Sequence, residues 1–142
     1  MRVVLDTSVF VAGLRSRSGA SSALLNQLAD HKFIGAASPA LFLEYEEVLK
    51  RAEHLLSWAV VEEFLAELAA LIEPVQIRFL WRPMLPDPDD EMVLEAAING
   101  HAEAIVTHNR RYFAAASIRF GIAVLSSGEF LTLLQQEEVN ER

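Results

Sequence analysis

The feature that most constrains the fold is a short run of branched aliphatic residues, Val3-Val4-Leu5, which stops abruptly at Asp6. No polar residue alternates with these side chains, so the run predicts a strand buried on both faces, as in a parallel sheet covered by helices. A carboxylate directly after such a strand is costly unless the strand ends there and the charge has a partner. Asp6 therefore either lies at the floor of a polar site at the carboxyl end of the strand or caps the following helix.

Strand-like and helix-like segments alternate along the rest of the chain. The predicted strands are 3–5, 32–36, 75–77, 103–107 and 122–125, and the predicted helices are 9–14, 20–30, 39–51, 57–73, 91–99 and 127–136. This alternation predicts an α/β fold in which a central parallel sheet carries helices on both faces. No linker divides the chain, so we expect one domain over residues 1–136 and a frayed acidic tail over residues 137–142.

Composition excludes several classes of function. Cysteine is absent from the 142 residues, which excludes a disulfide framework, a thiolate metal site and a cysteine nucleophile. No apolar run is long enough to span a membrane, and Asp6 interrupts the first apolar run too early for a signal peptide, so we expect a cytoplasmic protein. The formal net charge of −8 is unlike that of a generic nucleic-acid binder, which is basic. If this acidic protein binds a polyanion such as a nucleic acid, local basic patches or bound cations must offset its own negative charge.

One acid lies on an apolar helix face. In the helix predicted at 39–51, Leu41, Tyr45, Val48 and Leu49 form a buried stripe, and Glu44 falls within it. A carboxylate on a core-facing stripe must be paired, protonated or bound to a metal. The alternative is that Glu44 lies at the edge of the stripe and reaches solvent or an arginine.

A second acid of this kind begins the helix predicted at 91–99. Asp90 precedes Val93 by three residues and Leu94 by four, which directs it inward with them. A purely structural explanation also exists, in which Asp87 is the N-cap, Pro88 the first helical residue and Asp90 part of an arrangement resembling a capping box. Acids in a first turn also suit the helix dipole. This explanation accounts for Asp87 better than for the inward direction of Asp90.

Polar residues also follow the strand predicted at 103–107. Thr107 and Asn109 supply oxygen atoms at the sheet edge where Asp6 ends the first strand. Asn109 is alternatively a turn residue that tolerates a left-handed conformation, and His108 is interpreted as a loop histidine rather than a ligand. The remaining histidines show no spacing typical of metal ligands: His31, His54 and His101.

Taken together, four segments bring one polar residue each toward one end of the sheet: Asp6, Glu44, Asp90 and Asn109. Three converging carboxylates repel one another unless a cation neutralises them, and a partly hydrated Mg²⁺ is held by one or two carboxylates. Such an ion lowers the pKa of bound water, and a pair of ions clamps both reacting oxygens of a phosphodiester. Four arginines flank the segments and are either contacts for a nucleic-acid backbone or plain surface residues: Arg15, Arg17, Arg110 and Arg111.

These residues resemble a PIN domain, the metal-dependent ribonuclease fold found in toxins of toxin–antitoxin pairs, and in particular a bacterial and archaeal subgroup described as toxin components. The resemblance spans nearly the whole chain and lies in the order and spacing of four segments: Val3-Val4-Leu5-Asp6-Thr7-Ser8, Ser38-Pro39-Ala40-Leu41-Phe42-Leu43-Glu44-Tyr45, Leu85-Pro86-Asp87-Pro88-Asp89-Asp90 and Ala104-Ile105-Val106-Thr107-His108-Asn109. It implies a three-layer α/β/α sandwich around a parallel sheet.

The resemblance also implies a function. It implies an endoribonuclease dependent on Mg²⁺ or Mn²⁺, a homodimer, and a cognate antitoxin that blocks the site. By the same resemblance, Asp6, Glu44 and Asp90 match the acidic metal ligands of the family, and Ser8 and Thr107 match its supporting polar positions. One position departs, because many PIN domains carry a fourth acid where this chain has Asn109. An amide offers an oxygen but no charge, which lowers the expected affinity for a second cation and puts a strict two-metal mechanism in doubt.

Two other functions compete with a nuclease. A receiver-like signalling domain has a similar size, a five-stranded parallel sheet and clustered acids, but it needs an acidic pair after the first strand and a lysine near the end. Here Thr7 follows Asp6, and the two lysines are Lys32 and Lys50. The other alternative is a PIN-like fold that has lost activity and only binds partners, for which Asn109 is the sole support.

Overall fold

The computed structural model of the protein describes residues 1–79, 85 and 88–141, with residues 88 and 89 described by their backbone alone. Five strands form one parallel sheet in the order β3-β2-β1-β4-β5. Their bounds are β1 (Arg2–Leu5), β2 (Ile34–Ala37), β3 (Glu73–Pro74), β4 (Ala104–Val106) and β5 (Ala123–Leu125). The helices in this part of the chain are α1 (Thr7–Arg15), α2 (Ala20–Ala29), α3 (Pro39–Leu49), α4 (Trp58–Leu71), α5 (Pro88–Asn99), α6 (Ala114–Phe120) and α7 (Ser127–Asn140).

The helices cover both faces of the sheet, as the sequence predicts. The connections from β1 through β2 to β3 run in one direction across the sheet, and those from β3 through β4 to β5 run in the other. Because such crossovers are right-handed, α1 to α4 lie on one face and α5 and α6 on the other. Helix α7 packs against α2, which places it with the first group. The three-layer α/β/α arrangement around a central parallel sheet is therefore confirmed.

This topology also excludes the receiver-like alternative. Receiver domains have the doubly wound strand order 2-1-3-4-5, whereas the order here is 3-2-1-4-5. Strands β1 and β4 are neighbours in the sheet but leave it in opposite directions, so a crevice opens beyond their carboxyl ends. Ligands of open α/β sheets bind at such a switch point.

Serine caps explain where three of the helices begin. The hydroxyl of Ser38 accepts a hydrogen bond from the backbone N–H of Leu41 (3.1 Å), with proline at the first helical position of α3. Ser57 caps α4 in the same way. Ser126 and Glu129 form a reciprocal capping box at the start of α7. Each cap satisfies a backbone donor that the first helical turn leaves unpaired.

The prediction of a third strand at 75–77 is wrong. Strand β3 lies two residues earlier, where Glu73 and Pro74 pair with Ala36 and Ala37 of β2. Only the N–H of Val75 continues the ladder, by donating to the carbonyl of Ala37 (3.0 Å). The alternation of valine and isoleucine at 75–77 suggested a strand, but β3 is an edge strand, where proline is tolerated because one side of the backbone needs no partner.

Two further differences concern the second half of the chain. Residues 110–120, to which the sequence pattern assigned no element, form a 3-10 turn (Arg110–Phe113) and α6, which buries Phe113 and Ala116. Helix α7 continues to Asn140, four residues past the predicted end, and Glu138 in this extension lies 3.8 Å from the ammonium group of Lys32. No helix among the described residues is both long enough and apolar enough to cross a membrane.

Candidate active site

A cavity of about 430 Å³ contains most of the residues that the sequence singled out. The residues that line it are Asp6, Thr7, Ser8, Val11, Ala12, Arg15, Glu44, Val48, Arg51, Glu53, His54, Asp90 and Asn109. They come from the ends of β1 and β4, from α1 and α3, from the turn after α3 and from the start of α5. The three carboxylates and the amide predicted to converge therefore do line one cavity.

The Asp6 side chain lines the cavity and does not cap the following helix. Asp6 occupies the N-cap position of α1, but its side chain makes no capping hydrogen bond, so the capping alternative is wrong. Its backbone N–H instead extends the sheet by donating to the carbonyl of Val106 (2.9 Å). The side chain is 7% exposed, and both of its hydrogen bonds to described residues reach Oδ2. No described residue donates a hydrogen bond to the other carboxylate oxygen of Asp6, Oδ1.

Two short relays fix the orientation of the Asp6 carboxylate. Thr107 accepts a hydrogen bond from the N–H of Asn109 (3.0 Å) and donates its hydroxyl to Oδ2 of Asp6 (2.6 Å). Ser8 accepts from the N–H of His108 (3.2 Å) and donates to the same Oδ2 (2.9 Å). Each hydroxyl therefore has its acceptor side occupied by a backbone amide, which leaves its proton directed at Asp6. Hydrogen bonds in such chains polarise one another and strengthen the terminal bond to the carboxylate.

Tyr45 joins the helix that carries Glu44 to the strand that carries Asp6. Its hydroxyl donates to the carbonyl of Leu5 (2.6 Å), and its ring meets that of Phe10 edge to face at 4.7 Å between centroids. Burial raises the pKa of the Tyr45 hydroxyl well above its ordinary value, and the negative charge of Asp6 adds to that rise. The phenol therefore stays protonated and keeps donating, which holds Glu44, the preceding residue, against the end of β1.

Glu44 lies on the core side of α3, as predicted. Its side chain is 7% exposed, while Leu41, Tyr45 and Leu49 of the same stripe are fully buried. Val48, which the sequence placed in the buried stripe, is only partly buried because it lines the cavity beside Glu44. The structure therefore places Glu44 where the core meets the cavity.

Asp90 lies in the first turn of α5, is partly buried and lines the cavity, which agrees with its predicted inward direction. Asp87, proposed from the sequence as the N-cap of this helix, lies outside the described residues. Helix α5 also buries two acids that the sequence pattern did not single out, Glu91 and Glu95. Glu91 accepts a hydrogen bond from the N–H of Leu85 (2.8 Å) and so acts as a structural support of this wall.

Asn109 also lines the cavity, but not as a left-handed turn residue. Its backbone φ is −118°, so the alternative that it provides a left-handed turn is wrong. His108 does not line the cavity and is anchored away from it, because its Nε2 lies 2.9 Å from the hydroxyl of Ser21, which in turn contacts Ser127. His108 is thus the loop histidine that the sequence indicated, with its backbone N–H bound to Ser8.

The four arginines proposed as nucleic-acid contacts lie in different surroundings in the structure. Only Arg15 lines the cavity. Arg110 donates to Glu129 (2.8 Å), and Arg111 lies over the ring of Tyr112 at 5.2 Å from the centroid. Arg17 is exposed and lies outside the cavity lining. A contact of these three with nucleic acid stays a prediction.

Sequence reasoning missed one wall of the cavity. Arg51, Glu53 and His54 line it from the end of α3 and from the 3-10 turn (Ala52–His54) that follows. A signal for Arg51 was present, because Val48 follows Glu44 by four residues and Arg51 follows Val48 by three, which is helical spacing on one face. Glu53 and His54 had no such signal, since an irregular turn has no period.

The cavity offers oxygen atoms that a divalent metal ion could use as ligands. Hard cations prefer carboxylate and amide oxygens, which is the donor set that the cavity offers. Among the described residues, however, no three acidic or histidine side chains are clustered closely enough to form a metal site. The donors therefore fit an ion held directly by one or two carboxylates and by the others through water, which is how Mg²⁺ is commonly bound.

Comparisons with known proteins agree with this description of the fold. Residues 2–111 match the PIN domain family. A search of curated protein sequences finds no match. Similar solved structures include VapBC-1 from nontypeable Haemophilus influenzae (TM-score 0.62, 15% identity, covering 90% of this chain and 99% of that chain). They also include VapBC2 from Rickettsia felis bound to a DNA fragment from their promoter (TM-score 0.56, 14% identity, covering 89% and 98%). The match to the family model covers most of the chain, so this protein belongs to the PIN domain family.

Proposed function

We propose that the protein is a divalent-metal-dependent endoribonuclease and the toxin of a type II toxin–antitoxin pair. The observation that carries the proposal is the convergence of four oxygen-bearing side chains on one cavity at the switch point of the sheet: Asp6, Glu44, Asp90 and Asn109. Asp6 and Glu44 are buried, and a buried carboxylate is costly unless a partner or a cation offsets its charge, so a receptor for an uncharged ligand would have no need for them.

Each side chain that lines the cavity has its own role in this proposal. Asp6 would hold the ion through Oδ1, because Ser8 and Thr107 already occupy Oδ2. Glu44 and Asp90 would hold it directly or through water, and Asn109 would contribute a neutral oxygen. A bound Mg²⁺ or Mn²⁺ lowers the pKa of a coordinated water and stabilises the negative charge that develops on the scissile phosphate. The hydroxyls of Ser8 and Thr107 keep the Asp6 carboxylate in one orientation during the reaction.

The protein partners in this proposal are suggested by the family and by the solved structures of similar fold. The solved structures of similar fold include VapBC-1 and VapBC2, which supports a cognate antitoxin that covers the cavity of this chain. A homodimer is part of the same proposal. Such a toxin would act in the cytoplasm, where its RNA substrate is.

The direct test is cleavage of an end-labelled single-stranded RNA by purified protein with Mn²⁺ or with EDTA. We expect cleavage with Mn²⁺ only, and its loss in Asp6→Asn, which removes one charge while leaving a side chain of the same shape. The matched control is Asp30→Asn, an exposed acid at the end of α2 that lies outside the cavity. Cleavage by Asp6→Asn equal to that of the control, in a preparation free of host nuclease, would contradict the assignment. A DNA strand of the same sequence tests the choice of RNA.

A catalytically inactive binding protein is the second candidate, and Asn109 favours it because an acid is common at this position in the family. A calorimetric titration with Mn²⁺ separates the two. A nuclease should show a saturable site that is lost in Asp90→Asn, whereas an inactive binder should show no site that depends on Asp90.

A further inference from the structure

The cavity changes in charge along its length. Asp6 and Glu44 are each 7% exposed and lie at its buried end, whereas Arg15 and Arg51 are exposed. On α1, the side chains that line the cavity follow Ser8 at intervals of three, four and seven residues, and Arg15 is the last of them. Seven helical residues span about 10 Å, so the guanidinium of Arg15 is carried about two turns away from the hydroxyl that binds Asp6.

The opposite wall repeats this arrangement on α3. Glu44 and Val48 line the cavity from the helix, and Arg51 follows Glu44 by seven residues, just past the helix end. Helices α1 and α3 pack against each other through the edge-to-face contact of Phe10 with Tyr45. Each wall therefore runs from a residue of the acidic floor to one arginine about two turns away.

These two arginines are available for a ligand. Among the described residues, no carboxylate lies within ion-pair distance of Arg15. Within the same part of the chain, the ion pair of Arg51 is a 3.8 Å contact with Glu47, both side chains being exposed, and a pair of this kind contributes little to stability. By contrast, Lys50 is bound to Glu46 and Glu62, and Arg110 to Glu129.

The charge balance of the cavity indicates the sign of that ligand. Four carboxylates and two guanidinium groups line it, with Glu53 as the fourth acid. One divalent cation on the acidic floor would bring the formal charge of the lining to zero. The two arginines would then face an anion with no excess of acid to repel it, in a chain whose net charge is otherwise −8.

We propose that Arg15 and Arg51 form a clamp for the backbone phosphates of a single-stranded nucleic acid, one on each wall, and that the strand lies between α1 and the end of α3. The proposal rests on the nuclease function proposed above and adds the path of its substrate. A cavity of about 430 Å³ has room for a nucleotide or two of a single strand. Phosphate contacts position the strand and carry no sequence information, so RNA and DNA of one sequence should depend on the clamp equally.

The test is the salt dependence of binding, measured by fluorescence anisotropy with a labelled single-stranded RNA in Ca²⁺, with the strand checked for integrity afterwards. Each phosphate contact on a single strand contributes roughly 0.7 to the slope of log K against log salt concentration. The double variant Arg15→Gln/Arg51→Gln should therefore lower the magnitude of the slope by about 1.4, and each single variant by about half of that. Both side chains are exposed, so the variants should fold, which their melting temperatures verify.

The charge-matched control is Lys32→Gln. Lys32 precedes β2, at the amino ends of the strands, whereas the cavity lies at their carboxyl ends, so this variant should leave the slope unchanged. An unchanged slope in the double variant, or an equal loss in Lys32→Gln, would overturn the clamp. Cleavage assays in Mn²⁺ keep the two proposals apart. If Asp6→Asn abolishes cleavage while the clamp variant keeps its slope, the nuclease stands and the clamp is wrong. If the slope falls while the wild type never cleaves RNA, the clamp stands without the nuclease.

Discussion

The hydroxyl of Thr107 donates a 2.6 Å hydrogen bond to Oδ2 of Asp6, a residue 101 positions earlier in the chain. Thr107 is fully buried, and its hydroxyl oxygen also accepts the N–H of Asn109. The end of β4 therefore holds the carboxylate that ends β1. A hydrogen bond to a charged, buried acceptor contributes more to stability than one between neutral groups, and losing it also frees the carboxylate to rotate.

Thr107→Val should weaken both stability and catalysis. Valine has nearly the same shape as threonine, but it leaves Oδ2 of Asp6 with one donor fewer and the N–H of Asn109 without its acceptor. We expect the free energy of unfolding to fall by about 2 kcal/mol, and the cleavage rate to fall roughly 10- to 100-fold, as is typical for groups that orient a metal ligand. Urea denaturation and RNA cleavage in Mn²⁺ measure the two effects. Thr107→Ser keeps the hydroxyl and should retain most of the rate, and an equal loss of rate in both variants would contradict a positioning role.

Ser8 and Thr107 should act on Asp6 as a coupled pair. Either hydroxyl alone still satisfies Oδ2, but removing both leaves a buried carboxylate oxygen without a protein donor. The free energy of unfolding of Ser8→Ala/Thr107→Val should therefore fall by roughly 1 kcal/mol more than the sum of the single losses. A double-mutant cycle in urea measures this. The pair Ser8→Ala/Thr132→Val is the control, because Thr132 bonds to Gly128 within α7 and should give additive losses. Additivity in both pairs would show that the two relays are independent.

Parts of this site that depend on residues close together in the sequence were predicted, and parts that depend on distant segments were not. Asp6 and Glu44 were predicted because a buried strand and an apolar helix stripe are local patterns, and a charge that interrupts either is visible within a few residues. The wall formed by Glu53 and His54 was not, because it comes from an irregular turn whose position depends on how α3 packs against α1. The pairing of Arg110 with Glu129 was likewise hidden, since it joins two segments that only the folded sheet brings together.

Strand β3 shows the same limit for the fold. Local propensity favours Val75 and Ile77 as strand residues, but the ladder with β2 forms at Glu73 and Pro74, where the chain leaves α4. The register of an edge strand is set by its neighbour and by the preceding helix, neither of which appears in the local pattern. The three-layer arrangement around a parallel sheet, by contrast, was implied by the resemblance across four separated segments.

Mn²⁺ should stabilise the folded protein, because it would bind carboxylates that only the folded chain brings to one cavity. An ion at 100 times its dissociation constant contributes about 2.7 kcal/mol, which for a chain of this size raises the melting temperature by on the order of 10 °C. Most of that shift should disappear in Glu44→Gln. The matched control is Glu47→Gln on the same helix, an exposed acid outside the cavity that should keep the shift. Differential scanning fluorimetry with and without Mn²⁺ measures it, and equal shifts in both variants would contradict a metal site that includes Glu44.

Tyr45 should make the protein sensitive to alkaline unfolding. Burial raises the pKa of its hydroxyl in the folded state, with Asp6 adding to the rise, so the unfolded chain loses the proton at a lower pH than the folded chain does. The stabilisation is therefore fully present below the ordinary tyrosine pKa of about 10 and is lost as pH rises from there toward the folded value. In that range the free energy of unfolding should fall by up to about 1.4 kcal/mol per pH unit from this group alone.

Comparison with Tyr45→Phe isolates this contribution. Lys50, whose pKa is raised by hydrogen bonds to Glu62 and Glu46, loses stabilisation in the same direction, but it is common to both proteins. The variant loses the bond to the carbonyl of Leu5, so it should be about 1 kcal/mol less stable at neutral pH and should show a shallower decline above pH 10. Tyr112→Phe, which removes the other tyrosine at a 40% exposed position, should decline as the wild type does. Urea denaturation from pH 8 to 11 measures all three, and parallel curves for wild type and Tyr45→Phe would show that the buried phenol does not couple folding to pH.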